Sequence, residues 1–468
     1  MKTTSMHLML SVAVMAMASG LAPVPFAATG TAYAQEAINM ATPFNEWRLQ
    51  WTRKAELGPL GANFDVAVLK TYEPVTTQLV NPQPGDLFVY VNTGGQNWGE
   101  PTRDDETNVN KHSRVNVINA RTKELIASQE MVDLPGRLHT SVVSADGRYA
   151  YVPADNGPTA GVFKVDALTL QPVKLLDVGG VIHHMQVFQD RYILIDTFSM
   201  KETSGSTKRA VMLLDPETDT IVGGIRSDRL GGNIYTAWPD PKNEFIYLLM
   251  EPLKGGAGSL EFRAGAIGGT NPYWVAKVDP KDWSVVAEYP YPGLRSDWIQ
   301  FDATGANMFV NGSTDDSLSK INLETGEMVW RAYTGVGPYG IELNADGTEV
   351  WTVDKGESWK GHAGRTITVV SADKGVWIDT IMSDGRGTDH VVLSPDGLEM
   401  WTSANDSGSV IVVDAITREP TARIPMPGFG DPHGVVFVAY DANGVGRVVA
   451  DQGDFHGGID PRNGNPLR

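Results

Sequence analysis

Apolar and polar residues alternate over runs of a few positions along most of this chain, and each run stops at a turn signal. One unit recurs as strand, turn, strand: "HTSVVSADGRYAYV", "HHMQVFQDRYILI", "DWIQFDATGANMFV", "YGIELNADGTEVWTV" and "DHVVLSPDGLEMWT". A second unit falls between copies of the first, as in "GVFKVDALTLQP", "AVMLLDPETDTI" and "VIVVDAITREPT". Period-2 alternation bounded by Asp, Asn, Gly and Pro predicts short antiparallel strands. Long stretches with helical spacing are few. The expectation is an all-β chain.

Self-similarity at a fixed spacing is the signature of a repeat architecture, and two strand pairs per repeat make the four-stranded blade of a β-propeller. First units start near 75, 139, 183, 235, 297, 339, 390 and 433. That is eight inner-strand units, so the ring holds eight blades, or seven with an irregular closure. The last unit lacks its outer strands, and residues 63–71, "NFDVAVLKT", are the expected closing strand between the termini. Residues Gly255 to Thr270 read as a surface insertion within one blade, and no linker divides the chain into further domains.

The recurrent Asp-x-x-Thr and Ala-Asp-Gly segments are turn chemistry, because Asp and Asn side chains bond the backbone two or three residues on. Trp351 and Trp401 recur at one strand position and read as packing between blades.

Composition narrows the chemistry. Lys2, the apolar run from Leu8 to Leu21 and the triplet Ala32-Tyr33-Ala34 form a secretory signal with cleavage expected after Ala34. The expected mature protein is residues 35–468, a single propeller exported to the periplasm or beyond. No later run is apolar enough to span a membrane. The chain has no cysteine, which excludes thiolate metal centres, iron–sulfur clusters, c-type haem attachment and thiol nucleophiles. A net charge of −18 argues against nucleic acid as a partner.

The histidines are not scattered. Aligned on the turn of the first unit, the residues that open each inner strand read His139-Thr140, His183-His184, Tyr235-Thr236, Asp297-Trp298, Tyr339-Gly340, Asp389-His390 and His433-Gly434. Chance would put well under one of the chain's 9 histidines in these two columns, and they hold five. In a propeller these strands line the central channel, so such residues converge on its mouth. Any single histidine there reads equally as a hydrogen-bonding tie for a loop. A converging set reads as a metal cage, since imidazole suits Cu, Zn or Fe. The expected metal ligands are His139, His183, His184, His390 and His433. His362 and His456, in loops of comparable position, are further candidates, whereas His112 reads as solvated.

Asp297 shares the mouth column and is the favoured ligand or general base, with Glu251 and Glu261 as further carboxylates. Lys111 is a candidate anion clamp. Arg137, Arg295 and Arg386 lie just upstream of mouth residues, where guanidinium groups would draw a small anion into a funnel.

The repeats, "SPDGLEMWTSANDSGSVIVVDAITREP" above all, resemble the YVTN-type propellers of exported bacterial proteins, a likeness that implies fold and not chemistry. Joined to the histidine columns, the chain resembles copper propeller enzymes. It is more distantly similar to the propeller of nitrous oxide reductases, whose cysteine-bearing copper domain it lacks. The order Lys111, His139, His183 or His184, Glu251 or Glu261, Asp297, His362, His390, His433, His456 is similar in residue type to the thiocyanate dehydrogenases.

That resemblance implies several copper ions and oxidation of a small anion such as thiocyanate by attack of metal-bound hydroxide. Electrons would pass to an external acceptor such as a soluble cytochrome. Two alternatives stand beside it: a haem-d1-type propeller with one axial histidine, and a non-enzymatic YVTN-type binding protein with no cofactor. The oligomeric state is left open, a homodimer included.

Overall fold

A computed structural model describes residues 44–46, 57–94, 112–136, 139–155, 160–200, 209–252, 273–293, 295–357 and 362–453. The chain forms seven antiparallel sheets, and they are the seven blades of a β-propeller. The four core strands of each of blades 2 to 7 are continuous in sequence. Their inner strands are Val142–Val143, Gly180–Phe188, Asn233–Pro239, Ile299–Phe301, Pro338–Leu343 and Thr388–Leu393. Blade 1 draws its inner strand, Asp431–Tyr440, from the far end of the chain and its other three, Leu87–Gly94, His112–Asn119 and Leu125–Pro135, from the near end.

This pairing resolves the blade count. The units starting near 75 and 433 are two parts of one blade, so eight units make seven blades. Leu87–Gly94 runs antiparallel to Asp431–Tyr440, with Phe88 opposite Val438 and Asn92 opposite His433. The expected closing strand does something else. Ala67–Thr71 adds a fifth strand to the outer edge of blade 2, pairing with Pro172–Asp177, and all five of its residues are exposed. Its side chains lie too far from the axis to take the place of an inner strand, and Asp431–Tyr440 already holds that place.

Burial follows radius. Inner strands such as Thr388–Leu393 are buried at every position, whereas outer strands such as Pro420–Pro425 alternate. Apolar side chains fill the wedges between blades. Trp351 packs with Val391 and Met400 across the seam of blades 6 and 7, and Trp401 meets Phe437 across the seam of blades 7 and 1. Their rings stand edge to face at 5.6 Å in the second pair. The turns behave as their chemistry dictates: Asn119, Asp166, Asn322 and Asp414 each accept backbone N–H groups two and three residues on. Among the described residues no helix is long and apolar enough to cross a membrane. Residues 1–34 and the 255–270 insertion lie outside the described residues.

The seam closed by the chain's two ends depends on Trp401, which is fully buried. Trp401→Ala should lower the unfolding free energy by about 3 to 5 kcal/mol in urea titrations, the usual range for deleting a large core ring.

Candidate metal centre

A regular strand turns successive side chains to opposite faces, so only one of His183 and His184 should point at the axis. The structure breaks that rule with a β-bulge, which puts two residues opposite one and re-aims the side chains. In blade 3, Met185 pairs with Ile195 and Ile182 with Thr197, leaving His183 and His184 together opposite Asp196. In blade 7 the pairs Val391–Thr402 and Thr388–Ala404 leave Asp389 and His390 opposite Ser403. Blade 1 carries the same irregularity beside His433, with Gly434 as the extra residue. Gly434 has φ +69°, and a Cβ there would stand 2.9 Å from the Ser141 carbonyl oxygen, so no other residue fits.

Polar residues of the second strands brace these bulges and the entries of neighbouring inner strands. The Asn92 amide donates to the His139 carbonyl at 2.6 Å, and its oxygen accepts from the Ser141 backbone at 3.0 Å. Asp196 accepts the backbone N–H of His184 at 3.2 Å and of Ala237, on blade 4, at 3.1 Å. The Ser403 hydroxyl accepts from the His390 backbone at 3.0 Å. Asn311 holds Asp297 in the same way at 3.2 Å. None of these residues was among the sequence candidates. Their signal was available as the polar residues that end an otherwise apolar run in each second strand ("YVNTG", "LIDTF", "FVNGS", "WTSAN").

The result is a knot of five imidazoles from blades 1, 2, 3 and 7. His139 sits at its centre, with ring centroids 4.5 Å from His183, 4.7 Å from His184, 4.5 Å from His433 and 5.6 Å from His390. Two sets of three, His139-His183-His184 and His139-His390-His433, each bring their ligand nitrogens within 4.8 Å of one another. Only His139 reaches solvent, at 7 % exposure, and the other four are at 0–1 %.

Hydrogen bonding prepares the nitrogens. His183 Nδ1 faces two acceptors, Asp196 Oδ1 at 3.0 Å and the Tyr235 carbonyl at 3.1 Å, so it carries the hydrogen and leaves the Nε2 lone pair free. His184 Nδ1 lies 3.5 Å from the other oxygen of Asp196. The Nε2 atoms of His183, His184 and His390 are buried with no hydrogen-bond partner. A carboxylate holding the far side of a histidine is the usual outer shell of a metal ligand. His433 Nε2 lies 3.1 Å from Asp389, whose other oxygen is 3.4 Å from Lys355.

Burial pushes three of the imidazoles below their ordinary range. His183 is pushed down to about 3 by burial and by His184, with Asp196 opposing. His139 and His390 are also well below the usual value, burial being the largest cause. These three are therefore neutral nitrogen donors near neutral pH. Burial alone would raise Asp389, but Lys355 and the neighbouring histidines hold it well below the carboxylate range.

A second polar group adjoins the histidines. The Tyr235 ring lies 5.2 Å from His183, and the guanidinium groups of Arg209 and Arg295 lie over it at 5.2 and 5.4 Å. Arg295 donates to the Tyr235 hydroxyl at 2.8 Å and pairs with Asp297 at 3.3 Å. Glu251 lies 3.7 Å from Arg209, and burial raises its carboxyl against the pull of both arginines.

Of the residues singled out from sequence, His139, His183, His184, His390 and His433 come together, with Asp297, Glu251 and Arg295 in the adjoining group. Arg386 does not join them, because its guanidinium donates to the Asp406 carbonyl at 3.2 Å. His112, read as solvated, is half-buried at the start of a strand and bonds Glu130 at 2.8 Å. His362 opens the strand His362–Ser371. Lys111, Arg137, Glu261 and His456 lie outside the described residues. Lys355 and Arg209, absent from the sequence candidates, are the basic groups the structure adds.

The depressed imidazoles have a measurable consequence. Below about pH 6.5 the unfolded chain binds protons that the folded chain refuses, so the metal-free protein loses stability as pH falls from there toward 3. Each such histidine contributes up to about 1.4 kcal/mol per pH unit. Urea midpoints at pH 7.5 and 5 should differ more for the wild type than for His183→Asn.

No known protein family and no curated protein matches this chain by sequence. Solved structures do match its fold. The periplasmic gluconolactonase of Pseudomonas aeruginosa is similar at 12% identity and TM-score 0.52, over 75% of this chain and 99% of that one. Hydrazine synthase of Kuenenia stuttgartiensis is similar at 16% identity and TM-score 0.51, over 65% and 90%. A functionally unknown protein of Desulfotomaculum acetoxidans is similar at 14% identity and TM-score 0.51, over 75% and 98%. At such identities these likenesses establish the fold alone, and the chain is a seven-bladed β-propeller with a buried histidine cluster at its axis.

Proposed function

We propose that this protein is an exported copper oxidoreductase that oxidises a small inorganic anion such as thiocyanate. The observation that carries the reading is the pair of buried histidine triads sharing His139, in which the Nε2 atoms of His183, His184 and His390 have no hydrogen-bond partner. Five nitrogen donors without thiolate suit a borderline transition metal, and two triads suit more than one ion. Copper held there would supply a water of lowered pKa and a sink for electrons.

The chain's own groups supply the rest. Asp196 holds His183 and His184 in orientation. Arg209 and Arg295, against Tyr235, give an otherwise acidic protein a local attraction for an anion beside His183. Asp297 is the proton acceptor: its carboxylate is buried in the group that adjoins His183, 3.3 Å from Arg295, with no hydrogen bond of its own to either oxygen. Thiocyanate and one water would give cyanate, sulfur, two protons and two electrons. The electrons leave to an external acceptor such as a soluble cytochrome. A haem-d1 reading would use one axial imidazole and leave four without a role. It would also need space that Phe198, Tyr235 and Trp298 fill against the histidines.

Protein produced with a copper supply should contain more than one copper ion per chain and reduce an added acceptor when given thiocyanate. The double substitution His390→Ala, His433→Ala, which leaves His139, His183 and His184 in place, should lower the copper content per chain while the far-UV circular dichroism is kept. A wild type without copper, or a double variant that keeps its full complement, would overturn the reading. Asp196→Asn should weaken copper binding roughly 10- to 100-fold in competition titrations, as loss of an outer-shell carboxylate does elsewhere.

A further inference from the structure

The chain does not stop once the ring is closed. After Asp431–Tyr440 it reverses and runs as Gly446–Ala450 on the axial side of that inner strand, pairing Val438 with Val448. The Val448 N–H also donates to the Ala145 carbonyl of blade 2 at 3.0 Å. The next residues cross the channel. Asp451 accepts the Val187 N–H of blade 3 at 2.8 Å, and a Cβ on Gly453 would stand 2.7 Å from Gln186. Between them, Gln452 is 4 % exposed and touches the cluster, with its Oε1 2.6 Å from His390 Nδ1.

We propose that Gln452 is a positioning residue for the metal centre: it fixes His390 as the Nδ1–H tautomer and so presents Nε2 to the cluster. The inference rests on the metal reading for its purpose but not for its chemistry. The Gln452 amide nitrogen donates to the Met185 carbonyl at 3.2 Å, and a carbonyl can only accept. That contact fixes which way the amide points. Its oxygen then faces His390, and since that oxygen can only accept, His390 Nδ1 must carry the hydrogen. His390 Nε2 is left with a lone pair, buried and without a hydrogen-bond partner. Asp196 does the same for His183 from blade 3. The blade 7 bulge has Ser403 in the corresponding place, which serves the backbone and not the ring. The crossing tail provides what blade 7 lacks.

The tautomer can be read without metal. In copper-free protein labelled with 15N-histidine, long-range 1H–15N correlation should show His390, assigned by its loss in His390→Ala, with Nδ1 protonated and Nε2 bare. Gln452→Leu should shift that signal to the Nε2–H form or a mixture, and Gln452→Glu, which keeps the acceptor, should restore it. Copper affinity should follow, falling tenfold or more in the leucine variant and recovering in the glutamate variant. An unchanged tautomer in a folded Gln452→Leu protein, or an Nε2–H tautomer in the wild type, overturns the proposal. Should the wild type bind no copper, the metal reading falls and the tautomer alone decides the role of Gln452.

Discussion

The bulge at the channel mouth is the constraint on which the site depends. A regular inner strand offers the axis one side chain in two, and seven such strands would scatter their histidines between the axis and the blade seams. Placing two residues opposite one turns His183 and His184, or Asp389 and His390, toward the same end of the channel. The bulge leaves backbone groups that no ladder partner can satisfy. Asp196 and Ser403, each buried on a second strand, take up the backbone N–H groups of His184 and His390. The polar residues that make the bulges tolerable thus also fix the directions of the imidazoles.

Electrostatics then decides what such a cluster can be. Five imidazoles this close cannot carry charge together, and burial removes the water that would screen them. Burial holds His139, His183 and His390 below the ordinary imidazole range, so these three persist as neutral donors. A hydrogen-bonding network built only for structure would not leave the Nε2 atoms of His183, His184 and His390 orphaned at once. The charged groups nearby are paired, Arg295 with Asp297, Arg209 with Glu251 and Lys355 with Asp389. Asp196 and Asp389 touch the rings, and Lys355, Arg209 and Arg295 stand one residue further out.

Closure links this chemistry to the fold. His433 belongs to the strand that completes blade 1, and His139 opens blade 2 beside it, so the central pair forms only when the two ends of the chain meet. The segment beyond that strand returns through the channel to Gln452. The site is therefore assembled late in the chain's path. Loss of either end would disturb the cluster before it disturbed the outer blades, which hold their own four strands.

Alternation and turn residues alone determined the all-β blades, the turn roles of Asp166 and Asp414, and the packing of Trp351 and Trp401, because these are local properties with a period of a few residues. The column of histidines at the strand openings was legible for the same reason: repeats align, and a departure from the repeat stands out. The eight units left the blade number open, since pairing of Leu87–Gly94 with Asp431–Tyr440 spans most of the chain and has no local mark. Nor could the sequence decide that both His183 and His184 face the site, that Asp196 and Gln452 orient them and His390, or that Arg386 stays away. Those depend on a bulge and on contacts between blades, and only the folded ring brings the partners within reach.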